Sequence, residues 1–396
     1  MRILAISNRY PPWSIGGYEA TAAEATAALR DGSHTVRVLT TRPDPSDRDA
    51  ISGDPDLHRE LRWYWRNHEF PELPLRTTIA LERSNARVLR SHLHAFRPDA
   101  VLWWAMGGMS LSLLEQVRRV GVAAVGVVGD DWMVYAPQVD RWTRLWRGRR
   151  KLAAPLAERL AGVPALIDLN RAARWAFISG YTLETARATG LRLADAVVIH
   201  PGVDERRFPF RAPEPWHWRL LYCGRIDARK GIATAIEALG RLPTATLTID
   251  GDGDRRHSRE LEELAARLGV RDRVRFRASA RSAVADAYAA ADAVVFPVRW
   301  REPWGLVPLE AMATGRPVLA SRAGGGAAEY LRDGDNCLQF APGDAGDLAT
   351  ALERLAADDD LREQLVQSGR LTAARYTAAR FHEQLEAELE RAVSGA

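Results

Sequence analysis

Short apolar segments alternate with amphipathic stretches along the first half of the chain. The apolar segments are rich in β-branched residues on both faces, which is typical of a parallel sheet covered on two sides. The stretches between them, such as 19–30, 78–96 and 111–120, predict helices. The predicted strands of this half are 2–7, 35–41, 100–104, 122–128, 175–179 and 197–200. This alternation predicts an α/β domain.

A segment at 201–218 with closely spaced prolines separates this half from a second series of the same kind. The predicted strands of the second series are 220–223, 245–250, 274–276, 293–297, 317–320 and 337–340. Helical segments follow, including an amphipathic stretch at 374–393. We therefore predict two doubly wound domains with a ligand cleft between them.

The interval 42–73 reads as a long polar loop that carries Trp63 and Trp65. Loops of this length inside a compact domain usually serve a function.

Composition narrows the class of protein. A chain of 396 residues with 46% hydrophobic and 27% charged residues predicts a soluble globular protein of about two domains. No apolar run approaches the roughly 20 residues of a membrane span, and the first apolar segment is too short for a signal peptide. Cys223 and Cys337 are the two cysteines, so we expect buried, unpaired thiols and a cytoplasmic location. A net charge of +4 gives no reason to expect a nucleic-acid partner.

Basic side chains and glycines follow the first strand of the second series. Gly224, Arg225 and Lys230 lie between the strand at 220–223 and a helix predicted from about residue 232. Lysine occurs only at 151 and 230, and its compact ammonium is not interchangeable with a guanidinium at a tight site. A solvated basic loop is the plainer alternative, but the strand-to-helix position favours a phosphate site.

Two glutamates flank the start of another predicted helix. Glu302 lies on the loop after the strand at 293–297, and Glu310 lies about one turn into the helix that Pro308 begins. Carboxylates are good acceptors for paired sugar or ribose hydroxyls. Most glutamates are simply exposed, so this assignment depends on the anion site nearby.

These residues resemble the retaining glycosyltransferases of family 4. The resemblance rests on Gly-Arg…Lys-Gly at 224–231, Gly-Asp-Gly at 251–253, the glutamates at 302 and 310, and Gly-Gly-Gly at 324–326. It extends to Pro-Pro…Gly-Gly at 11–17 and Pro-Gly-Val-Asp at 201–204. It implies the GT-B fold, with two Rossmann-like domains facing each other across a cleft. The acceptor domain would cover 1–205, the donor domain 206–374, and the final helix at about 375–396 would return to the first domain.

The resemblance also implies roles for single residues. Arg225 and Lys230 would bind the donor diphosphate, Glu302 the sugar hydroxyls and Glu310 the ribose hydroxyls. The backbone of Gly224, and of Trp304, Gly305, Leu306 and Val307, would contact the donor, and Gly16 and Gly17 would let the first-domain loop approach the diphosphate.

One position departs from the family. A histidine–aspartate pair usually follows the strand at 122–128, whereas this chain has Asp130 and Asp131 followed by Trp132. Asp130 thus stands where the family has a histidine close to the transferred sugar, and we expect it to contact substrate. Asp131, Trp132, Trp63 and Trp65 are the candidate acceptor-binding residues, because aromatic faces suit sugar rings.

We therefore predict a retaining hexosyltransferase that uses a nucleotide diphosphate sugar, with a UDP-sugar favoured, and needs no metal or other cofactor. Arg225 and Lys230 would stabilise the leaving diphosphate, while Glu302 and Asp130 would act at the transferred sugar. The acceptor would be a hydroxyl of a small molecule or saccharide, such as a natural-product scaffold. A cell-envelope or lipid-linked acceptor, another GT-B activity such as a phosphorylase or epimerase, and a non-catalytic sugar-nucleotide-binding protein are the alternatives.

Arginines and one lysine recur between 141 and 159 among tryptophans and leucines. This stretch could touch a membrane or an anionic acceptor. The modest net charge favours a solvated helix face, so a peripheral membrane contact is left open but not favoured.

Overall fold

The computed structural model describes residues 1–13, 16–43, 53–65 and 69–395. The chain forms two compact units. The first comprises Met1–Ile199 together with His382–Ala396, and the second comprises His200–Phe381.

The first unit is built on a parallel sheet in the order β3-β2-β1-β4-β5-β6-β7. Its strands are β1 (Arg2–Ser7), β2 (Thr35–Thr41), β3 (Leu57–Leu61), β4 (Ala100–Trp103), β5 (Ala123–Val128), β6 (Arg174–Phe177) and β7 (Val197–Val198). The central strand β1 pairs with β2 through Ile3↔Val36 and with β4 through Ile3↔Ala100. Strand order therefore reverses between β1 and β4, which makes their carboxyl ends the switch point of this sheet.

Helices connect and cover these strands. They are α1 (Gly17–Asp31), α2 (Leu75–Phe96), α3 (Ser112–Val120), α4 (Trp132–Val139), α5 (Arg141–Leu145), α6 (Ala154–Ala161) and α7 (Gly180–Arg187). The core beneath them includes Trp103 and Trp104, which are 0% and 1% exposed. Both lie within the strand predicted at 100–104, and their burial agrees with a strand that is covered on both faces.

The second unit has a parallel sheet in the order β10-β9-β8-β11-β12-β13. Its strands are β8 (Arg219–Cys223), β9 (Thr246–Asp250), β10 (Val274–Arg277), β11 (Ala293–Phe296), β12 (Val318–Ser321) and β13 (Leu338–Phe340). Its helices are α8 (Ile232–Ala238), α9 (Arg255–Arg267), α10 (Val284–Ala289), α11 (Leu306–Ala313), α12 (Ala345–Ala357) and α13 (Asp359–Ala373). Here the order reverses between β8 and β11.

The last helix, α14 (Ala378–Ser394), begins in the second unit and ends in the first. Its later residues pack on the first unit through a nearly buried Glu388, which accepts a hydrogen bond from Arg174 at 3.3 Å. Glu386 and His34 form a second contact at 2.6 Å. No helix within the described ranges is both long and apolar enough to cross a bilayer.

One predicted feature of the first half is wrong. The interval 42–73 is not a continuous loop, because β3 occupies Leu57–Leu61 and pairs with β2. The part of this interval at 44–52 and 66–68 lies outside the described residues. Sequence pattern missed β3 because it is an edge strand whose His58, Arg59 and Glu60 are only partly buried and carry polar groups.

Candidate active site

The carboxyl ends of β8 and β11 define the candidate donor site of the second unit. These strands are neighbours across the reversal of strand order, with Leu220 opposite Ala293. Ligands of open α/β sheets bind at such a reversal, outside the carboxyl ends of the strands. The segments that follow the two strands, 224–231 and 297–305, are those in which the sequence placed the donor-binding groups.

The turn after β8 carries three basic residues, Arg225, Arg229 and Lys230. Gly224 follows β8 with a φ of +131°, a backbone conformation that side chains rarely adopt. Arg225 lies 3.3 Å from Asp227, and Lys230 ends a short 3-10 turn, Ala228–Lys230. The hydrogen bonds and charges of Arg229 and Arg225 hold the pKa of Asp227 well below its usual range despite partial burial. The turn is therefore held by ion pairs along its own length.

Gly231 fixes the direction in which Lys230 leaves this turn. Its φ is +68°, and a Cβ at this position would lie 2.0 Å from the carbonyl oxygen of Pro297. Arg299 donates its backbone N–H to the carbonyl of Arg229 at 2.8 Å. The turn after β8 and the loop after β11 are thus in backbone contact, which only glycine at 231 permits.

Lys230 and Glu302 meet across this contact. The Lys230 ammonium donates to both carboxylate oxygens of Glu302, at 2.9 and 2.8 Å. Their side chains are 17% and 13% exposed, so the pair is largely withdrawn from solvent. Trp300 Nε1 donates to Oε2 of Glu302 at 2.7 Å, and its ring lies 5.6 Å from the Lys230 ammonium. The structure therefore brings Lys230 and Glu302, the residues predicted to bind the diphosphate and the sugar, into direct contact with each other.

Helix α11 begins beside this pair. Gly305 precedes the helix with a φ of +89°, and its carbonyl accepts a hydrogen bond from Tyr330 at 2.5 Å. Leu306 and Val307 form the first turn, where amide groups have no partner within the helix. The side chain of Trp304 is 2% exposed and donates to the Pro201 carbonyl at 2.8 Å. Because the side chain of Trp304 is buried, its backbone is the part that can reach a ligand.

Glu310 lies on α11, one turn further along. Its Oε2 accepts a hydrogen bond from the Tyr288 hydroxyl at 2.7 Å. Nearby, burial raises the pKa of the Cys223 thiol to about 12, so this cysteine remains a neutral thiol. Tyr288 is fully buried, and it therefore holds the Glu310 carboxylate from the protein side.

In the first unit, the loop after β1 ends at Gly16 and Gly17, which are exposed. A Cβ at either position would meet no atom within 4 Å among the described residues, and residues 14–15 lie outside them. Glu19 in the first turn of α1 accepts the N–H of Gly16 at 2.9 Å. Among the described residues nothing covers this backbone, and its role at the donor stays a prediction.

Asp130 lies after β5 and is half-buried. It accepts hydrogen bonds from the Trp132 N–H at 3.1 Å and from the Tyr135 hydroxyl at 3.2 Å. Burial raises the pKa of Asp130 to about 7, against the lowering effect of these two donors. Burial also raises the pKa of the adjacent Asp131. The carboxyl at 130 consequently changes its charge near neutral pH.

Trp63 and Trp65 stack on each other, with ring centroids 4.6 Å apart. The guanidinium of Arg9 lies 5.1 Å and 5.2 Å from the two rings, and Trp63 Nε1 donates to the Gly107 carbonyl at 2.9 Å. Gly107 follows β4, the strand beside β5. The two partly exposed tryptophans therefore lie near the switch point of the first sheet.

The prediction that Trp132 binds the acceptor is wrong. Its side chain is 0% exposed and packs against Trp175, with ring centroids 5.6 Å apart. Trp142, which shares the same region, is 1% exposed and donates to the Pro164 carbonyl. Both rings belong to the core, because the first helical turns after Asp131 and Asp140 direct them inward.

Sequence reasoning did not single out Trp300, Tyr288 or Arg9. Trp300 contacts the pair of Lys230 and Glu302, Tyr288 holds Glu310, and Arg9 covers the tryptophan stack. Trp300 had one available signal, since it stands two residues before Glu302 in a loop already assigned to the site. Tyr288 had no such signal in the sequence, because it lies on α10 within an ordinary apolar pattern.

Known proteins match the chain over nearly its whole length. The family described as "Glycosyltransferase Family 4" matches residues 15–207, and "Glycosyl transferases group 1" matches residues 206–372. The two Rossmann-like parallel sheets are those of the GT-B fold. The chain belongs to the group 1 glycosyltransferases of family 4.

Individual relatives agree with this family. A glycogen synthase of Mycobacterium tuberculosis is 27% identical, over 93% of this chain and 89% of its own. Sucrose-phosphate synthase from Thermosynechococcus elongatus has the same fold, with a TM-score of 0.77 at 22% identity and full coverage of both chains. Anabaena HepE, solved in complex with UDP and glucose, gives a TM-score of 0.71 at 19% identity, over 98% of this chain and 99% of its own.

Proposed function

We propose that the protein transfers a hexose-type sugar from a nucleotide diphosphate sugar to a hydroxyl of a small-molecule or saccharide acceptor, with retention of anomeric configuration. The ion pair of Lys230 and Glu302 at the switch point of the second sheet is the observation that carries this proposal. It places a cation and a carboxylate side by side where a diphosphate and a sugar must also be side by side.

The pair suits a donor whose diphosphate gains negative charge as its bond to the sugar breaks. An arriving diphosphate attracts the Lys230 ammonium, and Glu302 then has a carboxylate oxygen to offer to sugar hydroxyls. Arg225, 29% exposed and on the same turn, adds a second cation. These positive groups are in place before the bond to the leaving group breaks, which is the arrangement that stabilises developing charge most effectively.

Glu310 is proposed to bind the ribose hydroxyls of the donor nucleoside. Tyr288 holds its Oε2, which orients the carboxylate that would accept these hydroxyls. The presence of UDP in the structure of HepE, a protein of the same fold, supports a uridine nucleotide as the donor.

The proposed reaction is a same-face substitution through an oxocarbenium-like transition state. The bond from the anomeric carbon to the phosphate oxygen breaks, and the electron pair leaves with the diphosphate. The acceptor oxygen bonds to the anomeric carbon on the same face and gives its proton to that phosphate oxygen. Arg225 and Lys230 hold the diphosphate, and Glu302 orients the sugar, so no protein nucleophile is required.

The acceptor is proposed to bind to the first unit between Asp130 and the stacked Trp63 and Trp65. Asp130 offers a carboxyl that is partly ionised at neutral pH, and the tryptophans offer a partly exposed aromatic face for a sugar or cyclitol ring. A polar, uncharged or cationic acceptor fits these groups better than a polyanion does.

A direct experiment pairs donor screening with product analysis. Thermal shift with UDP-, GDP- and ADP-sugars identifies the donor, because a ligand of the folded state raises its apparent stability. The chosen donor is then incubated with a panel of saccharide, cyclitol and natural-product acceptors. We expect an α-linked product from an α-linked donor, read from the anomeric proton coupling. A product of inverted configuration would contradict the retaining mechanism, and binding without any transfer would favour the non-catalytic alternative.

A further inference from the structure

Helix α6 of the first unit buries small apolar side chains and exposes its large ones, which is the reverse of the usual arrangement in a surface helix of a soluble protein. The residues that face the body of the unit are small, with Ala154 buried and Ala161 7% exposed. The leucines lie on the opposite face, where Leu156 is 63% exposed and Leu160 is 69% exposed. A helix of a soluble protein normally turns its large apolar residues to the core.

The apolar face continues into the 3-10 turn Gly148–Ala153 that precedes α6. Leu152 on this turn is 89% exposed. Leu152, Leu156 and Leu160 are spaced by four residues, and we call them the leucine ridge. Single exposed leucines are ordinary on protein surfaces, but a row of three on one short segment is typical of an interaction surface.

The charge beside the leucine ridge has one sign. Arg149, Arg150 and Lys151 are exposed, and within the described parts of the chain no carboxylate forms an ion pair with them. The acidic residue of this helix, Glu158, is already engaged by Arg119. Arg141 and Arg144, earlier in the stretch, are likewise paired with Glu72. The unpaired basic groups are therefore concentrated where the leucines protrude.

We propose that the leucine ridge and its three basic neighbours dock the first unit onto an anionic lipid bilayer. Leucine side chains would enter the headgroup region, while Arg149, Arg150 and Lys151 would remain at the level of the lipid phosphates. The basic flank is the reason to favour a bilayer over a protein partner, because anionic lipids are complementary to it over a broad, unshaped surface. The leucine ridge is the reason to propose a bilayer contact in place of the solvated face that the sequence favoured for 141–159.

This inference is independent of the proposed reaction, since docking is measured without turnover. If the protein transfers sugar but does not bind vesicles, only the docking proposal fails. If it binds vesicles but does not transfer sugar, only the proposed reaction fails.

The experiment is flotation of the full chain with vesicles of phosphatidylcholine alone, or with equal parts of phosphatidylglycerol. We expect binding to the anionic vesicles that weakens as salt is raised, with little binding to the neutral ones. The variant R149Q/R150Q/K151Q should bind the anionic vesicles about 100-fold more weakly, because each basic residue near the surface contributes roughly fivefold. The variant L152S/L156S/L160S should lose binding by about tenfold or more.

Two controls match these variants. Leu371, 67% exposed and remote in sequence, is changed in L371S, and Arg206, whose side chain is 96% exposed, in R206Q. Both should bind like the parent, and all variants should keep the parent melting temperature because every changed side chain is exposed. Failure of the parent to float with anionic vesicles, or parent-like binding by both test variants, would overturn the proposal. So would a lipid-free dimer that the leucine variant converts to a monomer, since the leucine ridge would then be a self-association surface.

Discussion

Lysine is scarce in this chain, and its two copies lie in very different surroundings. Lys151 is exposed on a turn, whereas the ammonium of Lys230 is held by both oxygens of Glu302 in a largely buried pair. We expect Lys230→Ala to lower kcat by about 100-fold or more, the usual loss when one charge-stabilising group is removed. Lys151→Ala is the matched control and should leave turnover in solution unchanged.

Steady-state kinetics with saturating donor and acceptor measure this difference, and thermal melts show whether Lys230→Ala remains folded. Arg225→Ala should fall in the same range as Lys230→Ala. Near-normal kcat in both variants would remove the diphosphate assignment. Sequence placed these residues at one strand end, but it could not predict that Lys230 pairs with Glu302, since that contact depends on the backbone approach of Gly231 to Pro297.

Asp130 gives a pH dependence with a definite sign. Its pKa is raised by burial to about 7, so the carboxyl is protonated below this pH and ionised above it. If the ionised form accepts a hydrogen bond from the acceptor, kcat/KM for the acceptor should rise with pH through about 7. Asp130→Asn should lose this rise, because an amide does not titrate in this range.

Tyr135→Phe provides a second test of the same assignment. The Tyr135 hydroxyl donates to Asp130 and favours its ionised form, so its removal should move the midpoint of the pH profile upward. A profile that is identical in the parent, Asp130→Asn and Tyr135→Phe would exclude Asp130 from acceptor recognition.

At the scale of elements, pattern alone predicted strands well where both faces are buried. Strands β1 and β2 match the predicted bounds, because their neighbours cover them on both sides. Two elements differ from what the pattern predicted. Strand β3 lies at an edge with charged side chains, and the first turn of α4 points Trp132 inward although two aspartates precede it. The position of a strand at a sheet edge and the face of a helix that is buried both depend on the tertiary structure. A short window of sequence does not determine them.

The junction between the turn after β8 and the loop after β11 can be tested with two glycines. Gly231 and Gly269 have nearly the same φ, +68° and +67°, but a Cβ at 231 would lie 2.0 Å from the Pro297 carbonyl while a Cβ at 269 would meet no described atom within 4 Å. Both alanine variants carry the backbone cost of about 1–2 kcal/mol. Gly231→Ala should lose clearly more stability and also donor binding.

Urea unfolding and donor titration measure the two effects. Equal losses of stability in Gly231→Ala and Gly269→Ala, with donor affinity intact in both, would mean that the close approach to Pro297 does not shape the site.

For the whole molecule, we expect transfer to proceed without a divalent cation. Arg225 and Lys230 supply positive charge at the proposed diphosphate site. Among the described residues, the cluster with metal-ligand spacing is His58, Glu60 and His92, which lies around the edge strand β3 of the first unit. Turnover after exhaustive chelation should stay within about twofold of the untreated rate. Loss of activity that Mg²⁺ or Mn²⁺ restores would contradict this expectation.

The path of α14 has a consequence for how the chain is made. Most of the first unit leaves the ribosome before the second unit, yet His382–Ala396, which follow the second unit in the chain, also belong to the first. Until they arrive, the contacts of Glu388 with Arg174 and of Glu386 with His34 cannot form, and Leu385 and Leu389 are not yet available to be buried. Domains usually fold in order as they emerge during translation. Here the second unit can complete its fold before the first unit receives the end of α14.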